Sequence, residues 1–130
     1  MSGAARSILV YSIYVFGLGA TLVFAPGVVL PIFGLAAPAD VWIHVAGMTV
    51  IFLGILYFRA AREETRWIFE SSVALRYAVP FIFAGFIVAG LAPWNLLLLT
   101  PLDVIFATWT LLALRGAPAP AATPLAASAR

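Results

Sequence analysis

From Ile8 to Ala25 the chain runs for 18 residues without a charge, and three further long, mostly apolar stretches follow. A helix rises about 1.5 Å per residue, so some 20 apolar residues cross the roughly 30 Å hydrocarbon core of a bilayer. That feature restricts the fold more than any other. With 65% hydrophobic residues and 9% charged ones, a soluble chain of this size would expose large apolar patches and aggregate. The expectation is one all-α membrane domain. A signal peptide fits the first run poorly, because the run is long and no A-x-A pattern precedes Pro26.

The chain divides into a leader at 1–7, a four-helix membrane domain at 8–115, and an Ala/Pro-rich tail at 116–130 expected to be disordered. The spans are placed at about 8–25, 39–60, 73–92 and 97–114. Tyr11, Tyr14 and Tyr57 lie where amphipathic rings favour the membrane interface. Pro26, Pro31, Gly34 and Pro38 interrupt the first connection, which should lie along the membrane surface. Pro80 should kink the third span. Thr100-Pro101-Leu102-Asp103 reads as the start of the fourth, with Thr100 as cap. The openings Pro38-Ala-Asp40 and Pro101-Leu-Asp103 echo one another, as two helical hairpins of similar design would.

Orientation follows from charge. The segment Arg59–Arg76 contains Arg59, Arg62, Arg66 and Arg76, and its side of the membrane also receives Arg6, Arg115 and Arg130. The other two connections have no lysine or arginine. Under the positive-inside rule both termini are cytoplasmic. Arg76, one turn inside the third span and opposite Ala78, Gly85 and Ala89, is expected to snorkel to that interface.

Ionisable groups at membrane depth are functional candidates. Asp40, His44, Gly47, Ile51, Gly54 and Phe58 share one helical face, and the two glycines on it would admit a neighbouring helix and turn His44 inward. Asp103, Ala107, Thr110 and Leu114 form a comparable face on the fourth span. A pocket of Asp40, His44, Asn95, Asp103 and Thr110 is therefore geometrically possible. Plain structural roles compete: Asp40 and Asp103 suit helix first turns, His44 can bond to Asp40, and threonines can bond to their own helix backbone.

Several chemistries are excluded or unsupported. One histidine and no cysteine cannot supply bis-histidine haem ligation or thiol redox, and a metal site would have to combine His44 with both aspartates. No metal, cofactor or catalytic residue is expected. The net charge of +2 is too small, and the arginines too dispersed, for nucleic-acid binding.

Two stretches, Trp42-Ile-His44-Val-Ala-Gly47 running to Tyr57-Phe-Arg59-Ala-Ala-Arg62, and Asp103-Val-Ile-Phe-Ala-Thr-Trp109 ending at Leu114-Arg115, resemble the DoxX-like group of small bacterial four-span membrane proteins. The resemblance implies a bacterial cytoplasmic (inner) membrane and service as a membrane partner of redox enzymes, including thiosulfate–quinone oxidoreductase. Lacking cysteine or an evident redox ligand, this chain inherits that activity at no residue. The expected function is a non-enzymatic accessory subunit or scaffold, associating with itself or a membrane complex through its glycine-bearing faces. The alternatives are a binder or carrier of a quinone or lipid, or a small proton-coupled transporter, using the pocket near His44 and Asp103.

Overall fold

The computed structural model describes residues 1–118. Among them the fold is all-helical: α1 (Gly3–Phe24), a short α2 (Pro26–Ile32), α3 (Trp42–Arg62), α4 (Arg66–Val88), a 3₁₀ segment (Trp94–Leu99) and α5 (Thr100–Gly116), which continues directly from it. Four of the resulting rods, with the 3₁₀ segment counted into the last, are long and apolar enough to cross a membrane. Most of the expected tail lies outside the described residues.

Helix limits differ from the sequence expectation in ways that move the polar residues. The third span begins at Arg66, not Val73. Arg66 and Glu70 pair at i,i+4 (2.8 Å), and Phe69 is buried beneath them. What reads as an interfacial turn is thus the first two turns of α4, and the helix continues through Pro80. Proline has no N–H, so the Arg76 carbonyl four residues earlier loses its helical donor there.

Three helices end alike. Leu35 N–H bonds to the Leu30 carbonyl, Thr65 N–H to Ala60 and Leu91 N–H to Phe86, each reaching back over a residue of positive φ. These are Schellman ends. Gly34 and Gly90 occupy two of them, and Glu64 (φ 50°) the third, a conformation that costs a side-chain-bearing residue roughly 1 kcal/mol. Glu64 accepts a hydrogen bond from Ser2 N–H (2.8 Å), which ties the chain's start to the α3–α4 connection.

α1 is the central rod. It packs extensively on α3 and also on α5, α4 lies against α5, and α3 and α4 barely touch. Lipid solvates apolar side chains as well as a core does, so close packing and polar contacts must hold such helices together. The α1–α3 contact is built on glycine: a Cβ on Gly19 would stand 2.7 Å from Ile51 N, and one on Gly47 2.8 Å from Val23 N and Leu22 Cβ. The glycine face of α3 is therefore occupied inside the protomer, and is not free for the self-association expected of it.

α1 and α5 are joined by polar side chains. Ser7 donates to Thr110 (2.9 Å), whose own hydroxyl donates to the Phe106 carbonyl (2.9 Å). Tyr77 does the same for α4 and α5, meeting Thr108 at 2.6 Å. As expected, Thr21, Thr49, Thr108 and Thr110 all bond to the carbonyl four residues before them.

Candidate functional site

Halfway along the bundle, aromatic and ionisable side chains from all four spans converge. Arg76 is the tenth residue after the start of the 23-residue α4 and is 3% exposed. Its guanidinium lies 4.0 Å from the Tyr11 ring centroid and 5.7 Å from that of Tyr57. The expectation that Arg76 snorkels to the interface is overturned. It followed from starting the helix seven residues too late, which put Arg76 one turn from water instead of three.

The tyrosines are corrected in the same way. Tyr11 and Tyr57 are 4% and 5% exposed, packed in the protein core with their rings turned inward and not outward as interfacial anchors. Tyr11 has two functions. Its ring faces the guanidinium, and its hydroxyl donates to Asp103 Oδ1 at 2.6 Å. Tyr14 and Phe106 pack beside it, with centroids 5.9 Å and 5.4 Å from that of Tyr11. Because the 3₁₀ segment extends the fourth span back to Trp94, Asp103 lies well inside the bundle although it is in the first turn of α5. Thr100, read as the cap of α5, instead donates back to Leu97 (2.8 Å) within the 3₁₀ segment.

The electrostatics of Arg76 are incomplete. Nε donates to the Ser72 carbonyl (3.3 Å) and Nη2 to Ser72 Oγ (2.7 Å), both one turn earlier on the same helix. Nη1 is enclosed and has no acceptor. No carboxylate comes within salt-bridge distance among the described residues; the acid on the facing helix, Asp103, is held by Tyr11. Arginine keeps its charge in proteins, and a charge at the centre of a membrane helix costs about 2.5–3.5 kcal/mol on insertion scales. Two aromatic faces and Ser72 offset part of that.

Arg76, Asp103, Tyr11 and Tyr14 line one end of a cavity of ≈ 320 Å³. Its walls are apolar: Leu18 and Leu22 of α1, Val50 and Leu53 of α3, Val79 and Phe83 of α4. It lies where α3 and α4 fail to pack. A chamber with mostly apolar walls and a few convergent polar groups is the usual form of a small-molecule site.

No protein-family model, curated protein or solved structure matches this chain.

The residues singled out from sequence are dispersed. Asp40 is exposed, lies before α3, and accepts from Trp42 N–H (3.1 Å), a local turn at the helix start, and does not pair with His44. His44 is exposed and its Nδ1 donates to the Val23 carbonyl (2.7 Å), closing one of the open carbonyls at the end of α1. Asn95 donates to the Gly34 carbonyl (3.2 Å), joining the two connections at the end of the bundle away from Arg59. Thr110 is 0% exposed and sealed against Ser7. Asp103 alone of the five lines the cavity. Arg59, Arg62, Arg66 and Arg115 are exposed, at or beside the α3–α4 connection and the end of α5.

Sequence reasoning missed Arg76 and Tyr11 as site residues. The signal available was spacing. Ser7 and Tyr11 are four apart on one helix, Asp103 and Thr110 seven apart on another, so two antiparallel polar faces could have been matched.

Proposed function

We propose that this protein is a multi-pass membrane protein that binds an amphipathic small molecule, a lipid or a quinone, whose head group accepts hydrogen bonds. The observation that carries the reading is Arg76, a buried guanidinium with an unpartnered nitrogen, lining a cavity between spans. A side-chain shift that uncovers Nη1 would let a carbonyl, carboxylate or phosphate oxygen supply the missing acceptor, and the apolar walls accommodate the remainder of the molecule. The location is a bacterial inner membrane with both termini cytoplasmic. That orientation is supported by arginine at one end of the bundle, even with Arg76 removed from the count.

The test is gentle purification followed by native mass spectrometry of co-isolated lipids and quinones. Wild type is expected to retain a ligand that Arg76→Gln loses, with both proteins folded. Equal retention, or none in either, refutes the reading. Proteins recovered in the same preparation test the accessory-subunit role that the DoxX-like resemblance supports.

A further inference from the structure

A second cavity, of ≈ 280 Å³, lies towards the end of the bundle where α2 meets the 3₁₀ segment. Its lining includes Val29, Leu30 and Phe33 of the first connection and Leu96 of the second. Polar surface is almost absent from it. The Asn95–Gly34 hydrogen bond joins the chain neighbours of two lining residues, Leu96 and Leu35.

Leu18, Leu22 and Leu99 line both chambers. The two spaces are therefore neighbours with these leucines at their shared boundary, and leucine rotamers can change without backbone movement. Taken together they form a tract with all its ionised groups at one end. From Tyr11 to Leu22 the helix rises roughly 16 Å, and Leu22 also lines the second chamber. Such a shape is unsuited to a compact ligand, which would leave the α2 end empty. Displacing lipid from an apolar chamber with a bound chain also costs no polar desolvation, whereas a polar tail would find no partner there.

Resting on the ligand-binding reading above, we infer that the ligand is a lipid with a single long apolar chain. Its head lies against Arg76, and its chain passes Leu18, Leu22 and Leu99 to end beneath α2 and the 3₁₀ segment. The head is thus drawn towards the bundle centre while the tail points to the arginine-free end. That direction is unusual for an amphiphile in a membrane leaflet, whose head remains at the surface.

Photolabelling with two hexadecanoate probes tests this, one with a diazirine near the carboxylate and one with it at the chain end. The near-head probe is expected to label residues around Tyr14 and Val79, and the chain-end probe Val29, Phe33 or Leu96. Both signals should fall in Arg76→Gln and under competition by unlabelled hexadecanoate. If the near-head probe behaves so while the chain-end probe labels only outward residues such as Ile55 or Val88, the tract is wrong and the head site stands. If neither probe labels in an Arg76-dependent way, the inference is overturned, and the ligand-binding reading is judged by co-purification alone.

Discussion

Tyr11 is the residue on which the site's geometry turns. It accepts a cation on its face and donates a hydrogen bond to a carboxylate at its tip, so it keeps Arg76 and Asp103 close without letting them pair. Tyr11→Phe keeps the ring and removes the donor. The variant should lose about 1–3 kcal/mol of stability, because a half-buried carboxylate is left without its donor. Asp103→Asn in the same background should cost little more, since the bond is already gone. A double-mutant cycle in detergent unfolding measures this, and strictly additive losses would contradict the pairing. His44 makes a useful contrast. His44→Ala should cost about 1 kcal/mol through the lost bond to Val23, and leave co-purified ligand unchanged. Loss of ligand in that variant would return His44 to the site.

Among the elements, α1 and α3 depend on absent side chains. Gly19→Ala and Gly47→Ala place a Cβ within 3 Å of backbone atoms on the facing helix, where no rotamer change relieves the clash. Overpacking of this sort costs about 1–3 kcal/mol, and the helices must separate to accept it. Gly17 has nothing within 4 Å of its would-be Cβ. Gly17→Ala should therefore be neutral or gain up to about 1 kcal/mol of helix propensity. Unfolding midpoints of the three variants in a denaturing-detergent titration check the ordering. If Gly17→Ala is as damaging as the other two, close approach is not the reason for these glycines.

For the whole molecule, the arrangement leaves one seam. α1 is covered on two sides and α4 leans on α5, which leaves α3 and α4 parted and a chamber between them. Orientation determines which leaflet that seam serves. The natural chain has no cysteine, so single substitutions report cleanly. Ala37→Cys should react with a membrane-impermeant maleimide in intact cells, and Glu63→Cys only after permeabilisation. The reverse pattern would invert the molecule.

By itself the sequence determined the number of spans, their approximate places and the end at which arginine gathers, because hydrocarbon thickness and the cost of charge act on composition alone. It could not fix where a helix starts when polar residues such as Glu70, Ser71 and Ser72 continue it beyond the apolar run. That error of two turns concealed Arg76 as an interfacial residue. Which faces meet was left to tertiary structure, since in lipid apolar patterning no longer says which side is inside. There, glycine contacts and single hydrogen bonds select the neighbours. They brought Tyr11, Arg76 and Asp103 together and left Asp40 and His44 bonded to backbone at helix ends.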